Sequence, residues 1–358
     1  MVNKFLSDFI KKDIIASIAS DELSAAEFAG FIDTGSYILN AQLSSSLYGG
    51  MPDNKILTLA GESSTGKTYV SLSIVKSFLD QNEQGVVMYF DTEAAITNKM
   101  MKERGVDSER VAIIEPENVQ DFRDYAVEKL DQYLEIPEKE RPKMMFVLDS
   151  LGMLPSRKEI EDAVAKKDTK DMTKQQSIRS IFRTITLKLA KAKIPFVVTN
   201  HVYQAIMAYV PTNIISGGGG TIFASDQILF ITKAKDKNIT TNEITGNILT
   251  FKLFKSRLSK QDTSVKVKLT YDKGFDRYYG LLDLAEKYNV IKKIAKKYEF
   301  PDGTKAFEKA IYKNPSKFFT EEIMKQLEEA AQKEFTYGVK TTENEEEISD
   351  NEEESTEE

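Results

Sequence analysis

The chain has 358 residues, 41% hydrophobic and 29% charged, with no cysteine and a single histidine. This supports one large globular core plus appendages and excludes disulfides, thiolate metal sites, cysteine nucleophiles and multi-histidine metal centres. The formal charge of −7 is misleading: residues 343–358 hold ten acidic residues and no basic one, which leaves the remainder at +3 and open to a nucleic-acid partner.

Val2, Phe5, Leu6, Phe9, Ile10, Ile14, Ile15 and Ile18 recur at spacings of three and four, an amphipathic helix whose apolar face must be buried on this chain's own core or on a neighbouring subunit. Lys4, Asp8, Lys11, Lys12 and Asp13 interrupt the run that a secretory signal needs. No stretch of about 18 apolar residues occurs, so no membrane partner is expected and the expected location is the cytoplasm. Ser24 and Glu27 have capping-box spacing and predict a second short helix. Apolar runs then alternate with helical stretches: Ile56 to Ala60, Val86 to Asp91, Met144 to Asp149, Phe196 to Asn200 and Gln227 to Thr232. That alternation predicts an α/β fold, a mostly parallel sheet between helices. Strands at Ile248 to Phe254 and Val265 to Tyr271 extend the sheet, and helices near Leu281 to Ile294 and Thr320 to Phe335 form a small α-rich appendage. The expected division is a helical arm over 1–30, a core over 31–275, a small domain over 276–340 and an acidic tail over 341–358, too poor in apolar residues to offset its folding entropy. The tail either solubilises the protein or competes with DNA for a basic groove.

The phosphate signature is Gly61-Glu62-Ser63-Ser64-Thr65-Gly66-Lys67-Thr68, a full GxxxxGK[ST] match between a strand and a helix. Backbone N–H groups of such a loop wrap phosphates, Lys67 reaches the β and γ phosphates, and the Thr68 hydroxyl ligates magnesium. ATP and Mg2+ are therefore the expected cofactors. Hydrolysis needs two further carboxylates, and two strand ends supply them: Asp149 for magnesium through water, Glu93 as general base. Thr199-Asn200-His201 ends another strand at the same edge and brings His201 near the γ phosphate as a neutral donor or sensor.

Together these residues resemble the RecA family of recombinases, most closely its UvsX-type phage branch. Nearly the whole chain takes part: the phosphate loop, Asp91-Thr92-Glu93, Asp149-Ser150, Thr199-Asn200-His201 and Gly280-Leu281-Leu282-Asp283 fall in family order. Cellular members usually have glutamine where His201 stands. The resemblance implies a RecA-like P-loop NTPase core, a helical filament with ATP between protomers, and single-stranded-DNA-dependent ATPase activity driving strand exchange with homologous duplex. It also implies a recombination mediator and a single-strand DNA-binding protein as partners. Lys255 and Arg257 match the family's pair of cations that reach into the next subunit's site. Two loops would hold DNA: one from Leu154 to about Gln176, followed by a helix carrying Lys174, Arg179 and Arg183; the other from Val202 to Gly220, with Ile206 and Met207 as wedges between bases. Gly217, Gly218, Gly219 and Gly220 would let that backbone approach phosphates. Where the family often stacks an aromatic residue on adenine, this chain has Met100, which packs less specifically.

Three rivals use parts of the same evidence. A hexameric helicase motor shares the core but normally carries an additional N-terminal domain, and about 50 residues precede the loop here. A small-molecule kinase needs an arginine-bearing lid, and a non-enzymatic DNA-coating protein needs no turnover.

Overall fold

The computed structural model describes residues 25–166, 173–204, 213–216, 218–237 and 242–338. A two-stranded ribbon, β1 (Phe31–Ile32) with β2 (Met51–Pro52), brackets helix α1 (Tyr37–Ser44). Strand β3 (Ile56–Gly61) leads into α2 (Lys67–Gln81), β4 (Val86–Asp91) into α3 (Asn98–Glu103), and β5 (Val111–Ile114) into α4 (Val119–Glu135). After β6 (Met144–Asp149) come α5 (Arg157–Val164) and α6 (Thr173–Ala192), then β7 (Phe196–Gln204), β8 (Asn213–Ile215) and the short α7 (Gly219–Ala224). The chain continues through β9 (Gln227–Lys237), β10 (Ile244–Ser256), β11 (Ser264–Thr270) and β12 (Gly274–Phe275).

Among the described residues these strands build a ten-stranded sheet in which β9, β3, β7, β6, β4 and β5 lie parallel in that order. Strands β10, β11 and β12 extend its β9 edge antiparallel, and β8 folds back on β7. The period-2 geometry of a strand divides its residues between two faces. Leu57, Leu59, Val87, Tyr89, Met145, Val147 and Val197 enter one apolar cluster with α1 and α2. Ile56, Phe90, Phe146, Leu148, Phe196 and Val198 enter the other, with α4 and α6. Those two helices bury Val119, Phe122, Ala126, Leu130 and Ile178, Ile181, Phe182, Ile185, Leu189, the three-and-four spacing of a core-facing stripe. Both faces of the central strands are covered, which explains their unbroken apolar runs.

The first cluster also includes the C-terminal part. There α8 (Leu281–Lys287) is followed by a three-stranded antiparallel sheet of β13 (Lys292–Ile294), β14 (Lys297–Glu299) and β15 (Lys305–Phe307). Helices α9 (Glu308–Lys313), α10 (Pro315–Phe318) and α11 (Glu321–Phe335) complete it, with Thr320 capping α11 through the Ile323 amide. The helix expected over Leu281 to Ile294 is thus half its length, because its Lys-rich second half pairs as an edge strand.

The helix expected after Ser24 is absent from residues 25–30, which form a turn followed by irregular backbone. The 53–55 turn takes the groups a helix would use internally: Asn54 donates to the carbonyls of Ala25 and Glu27, Lys55 to that of Ala26, and the Ala29 amide donates to Asp53. The amphipathic stretch from Val2 to Ile18, residues 167–172 of the expected first DNA loop and the acidic tail lie outside the described residues. No helix among the described residues is long and apolar enough to cross a membrane.

Candidate nucleotide and DNA site

The phosphate loop joins the carboxyl end of β3 to α2, at the place where open α/β sheets hold ligands. Gly66 at the helix entry has φ +94, and a Cβ on Gly61 would stand 2.7 Å from the Ile231 carbonyl of β9, so two positions of the signature admit only glycine. Lys67 opens the helix, is buried, and donates to the Gly61 and Glu62 carbonyls at 3.0 and 2.8 Å. Burial holds its ammonium below the usual lysine range, against the opposing charges of Asp149 and Glu93.

Asp149 ends β6 and is 5% exposed. Its carboxylate accepts from three hydroxyls: Thr68 at 2.7 Å and Tyr89 at 2.8 Å on Oδ2, and Thr199 on Oδ1. Burial first, and the Asp149 charge second, push the Tyr89 phenol well above the usual tyrosine range, so it remains a donor. The signature threonine and the expected magnesium-side acid therefore touch directly.

Glu93 lies two residues past β4. Its Oε1 accepts from the Ser150 hydroxyl at 2.8 Å and lies 3.2 Å from His201 Nε2. Asp91, 3% exposed, accepts from the backbone amides of Glu93, Ala95 and Ile96, which fixes the loop that carries Glu93. Thr92 ties the same loop to β6, donating to the Ser150 carbonyl and accepting from its amide, both at 2.8 Å. His201 faces Gly61 in the β3–β7 register, which puts it beside the loop. Strand β7 does not stop at Asn200 but runs to Gln204 and pairs with β8, so the start and end of the expected second DNA loop form a hairpin. Asn200 donates to the Ser216 carbonyl at 2.8 Å and the Ser216 amide to the His201 carbonyl at 2.9 Å.

Lys255 and Arg257 sit at the other end of the sheet. Because β10 runs antiparallel to β9, its last residue Ser256 pairs with Gln227, the first residue of β9, which lies beside Leu57 at the start of β3. The phosphate loop is at the far end of β3, roughly 15 Å away at about 3.3 Å per strand residue. Lys255 donates to the Ile222 and Phe223 carbonyls at the end of α7, and burial, with Arg257 next to it, lowers its pKa.

Among the DNA candidates, Arg179 and Arg183 share one face of α6 and line a cavity of about 390 Å³ with Phe182 and Phe223. Lys174 is on the same helix but pairs with Glu159 at 3.4 Å. Gly219 and Gly220, expected in a phosphate-approaching loop, instead start α7. A Cβ on Gly220 would lie 3.0 Å from the Arg179 amide nitrogen and Cα, so this glycine permits close helix packing. Gly218 has φ +70. Ile206, Met207 and Gly217 lie outside the described residues. Met100 packs against the main apolar cluster and is not among the residues lining the cleft of about 210 Å³ beside the loop. Ser64, Gly66, Tyr69, Arg104, Lys233 and Tyr271 do line it; the Arg104 guanidinium lies over the Tyr69 ring at 4.2 Å, and Tyr271 is 68% exposed.

Sequence reasoning gave no role to Tyr89, Lys233 and Tyr271, and none to Asp91 and Thr199 although both stand in the strand-end motifs. Asp91 carried a local signal, an aspartate at a strand end two residues before Glu93.

The model of the RecA N-terminal domain matches residues 8–276. The Recombination and repair protein of Enterobacteria phage T4 is 31% identical over 285 residues, 78% of this chain and 71% of that protein. Protein RecA of Deinococcus radiodurans is 25% identical over 272 residues, 76% of this chain and 71% of that protein. Protein RecA of Mycoplasma mycoides is 25% identical over 294 residues, covering 82% and 79%. With a phosphate loop, an acid-bearing strand pair and a histidine-bearing strand meeting at one sheet edge, and with these matches, the chain belongs to the RecA family.

Proposed function

We propose that this protein is an ATP-dependent recombinase that coats single-stranded DNA as a helical filament, pairs it with homologous duplex and turns over by DNA-stimulated hydrolysis. The observation that carries this reading is the convergence of Lys67, Thr68, Asp149 and Glu93 at the carboxyl ends of β3, β6 and β4 with His201, which pairs with Gly61 on β7.

The donor set fits magnesium, a hard cation that takes oxygen ligands and keeps several waters. Thr68 and Asp149 would hold it, the carboxylate through water. No group of three or more acidic or histidine side chains able to hold a metal exists among the described residues, so phosphate oxygens and water would complete the shell. The ion supplies charge neutralisation on the phosphates. Lys67 and the loop amides bind the β and γ phosphates, and the cleft beside the loop receives the nucleoside, with Tyr271 offering a ring face. Glu93 orients water: Ser150 and His201 both engage Oε1, and among the described residues Oε2 has no protein donor and is left to accept from the nucleophile. Through its contact with Glu93, His201 registers what occupies the site and passes it along the β7–β8 hairpin toward DNA.

Lys255 and Arg257 act on the neighbouring protomer's ATP, since the length of β3 separates them from their own loop. Arg179 and Arg183 contact DNA phosphates. Exchange trades base pairs for equivalent ones, so ATP biases filament affinity rather than driving pairing.

The test combines electron microscopy of the protein on long single-stranded DNA, with magnesium and a slowly hydrolysed ATP analogue, with a joint-molecule assay. Nucleotide-dependent helical filaments, and joint molecules lost in Lys67→Ala, are expected. Closed rings would favour a helicase motor, and joint molecules formed equally well by Lys67→Ala would refute the proposal.

A further inference from the structure

Arg257 is more than half exposed, yet it is not a free arm. Its Nη1 donates to Asp226 Oδ1 at 2.9 Å, its Nη2 to the Phe223 carbonyl at 3.4 Å, and its own amide to the Asp226 carbonyl at 3.1 Å. Asp226 is 7% exposed and stands immediately before β9. Its second oxygen, Oδ2, accepts from the Ile56 amide at 2.9 Å, and its own amide donates to the Ile56 carbonyl at 2.9 Å. The carboxylate is thus anchored in the central sheet by one oxygen and holds the guanidinium with the other.

We infer that Asp226 is a positioning residue for hydrolysis in the adjacent protomer, holding Arg257 at the strand end in the orientation from which its remaining N–H groups reach the neighbour's phosphates. The inference rests on the proposed action of Arg257 across the protomer boundary. Three observations support it. The carboxylate is buried and bonded to backbone, so it cannot swing away with the arginine. Lys255 is held without Asp226, by the Ile222 carbonyl and by the Phe223 carbonyl that it shares with Arg257, so both cations gather on the last turn of α7, where the helix dipole favours positive charge. The floor beneath them is a buried polar network, with Gln227 donating to the Leu43 carbonyl, Ser259 donating to the Gln42 carbonyl, and Ser256 and Ser259 hydrogen-bonded to each other. A long arginine side chain loses rotamer freedom when it engages a ligand, and a partner that has already ordered it lowers that cost. A bidentate fork also needs its plane set, and here two acceptors on two nitrogens, the Asp226 carboxylate and the Phe223 carbonyl, set it.

The experiment measures single-stranded-DNA-dependent ATP turnover of the full chain in Arg257→Ala, Asp226→Asn and an equimolar mixture of Asp226→Asn with Glu93→Gln. Loss of a phosphoryl-stabilising arginine costs about 10³-fold, and its misplacement is expected to cost about tenfold in kcat with the KM for ATP unchanged. In the mixture, half of the loops retain Glu93, and half of those face a neighbour with an intact Asp226–Arg257 pair. If Asp226 acts across the boundary, turnover recovers to about a quarter of wild type; if it acts within its own protomer, it stays near one-twentieth. Asp226→Glu keeps both the charge and an acceptor for Ile56 and is the second variant should the asparagine unfold; turnover between wild type and Arg257→Ala is expected, and its mixture with Glu93→Gln should exceed half of its own turnover, the level that action within one protomer would give. Unchanged turnover in Arg257→Ala would overturn the reading on which this rests. Impaired Arg257→Ala with Asp226 variants within twofold of wild type, or a mixture that stays low, would overturn the positioning role alone.

Discussion

Replacing Tyr89 with Phe removes one hydroxyl and leaves the ring in place. Tyr89 is fully buried in the sheet, and its hydroxyl is one of three donors to the Asp149 carboxylate, sharing Oδ2 with Thr68 while Thr199 serves Oδ1. A hydrogen bond to a charged group contributes about 1.5–3 kcal/mol, and the loss here leaves a nearly inaccessible carboxylate one partner short. The expected cost is about 2 kcal/mol, or roughly 3 °C in Tm for a chain of this size. Equilibrium urea denaturation of the DNA-free, nucleotide-free protein measures it. With Asp149→Asn as background the acceptor is neutral, so the same change should cost about 1 kcal/mol less. A cost under about 0.5 kcal/mol, or an equal cost in both backgrounds, would refute the claim that the hydroxyl trio holds a charged Asp149.

Glu93→Gln should retain ATP and DNA binding while lowering turnover at least about 100-fold, because an amide cannot take a proton from water; near-normal hydrolysis would reject Glu93 as the base. Gly220→Ala should destabilise by about 1–3 kcal/mol, since the new methyl meets Arg179 backbone that cannot yield, whereas Gly30→Ala, with nothing within 4 Å of the added atom, should stay within about 0.5 kcal/mol in the same denaturation series. Burial pushes the Tyr279 phenol up to about 12 and moves Tyr312 in the same direction. The unfolded chain therefore loses these protons first, near pH 10, so stability should fall as pH rises from 10 through 12. Tyr279→Phe should flatten that slope in melting curves, and an unchanged slope would contradict the assignment.

Strands β3, β4 and β6 were legible to within a residue because both of their faces are buried and their apolar runs end abruptly at Gly61, Asp91 and Asp149. Periodicity weakened where burial is shallow. Lys292–Ile294 is an edge strand with all three residues on the exposed side, whose lysines carry no alternation, and it reads as more helix. Gly219 and Gly220 looked like loop because intrinsic propensity argues against helix there, and packing on Arg179 overrides it. The phosphate loop and both acids could be read from strand ends, since chemistry in such sheets sits at one edge. Tyr89 and Thr199 could not: a buried tyrosine or threonine inside a strand looks like core until its hydroxyl is seen to meet Asp149.

The reversal of chain direction at β10 also sets how catalysis scales with assembly. With the phosphate loop at one end of β3 and the cations at the other, a row of n protomers under the proposed function contains n − 1 complete centres, and a solitary chain contains none. Specific activity should climb steeply over the first few additions and then level off. One terminus of the row holds a nucleotide that nothing completes, so it ages slowly, while the other presents cations with no phosphate to serve. Such a polymer distinguishes its two ends by chemistry as well as by shape, and bound ATP persists longest at the end without a completing neighbour.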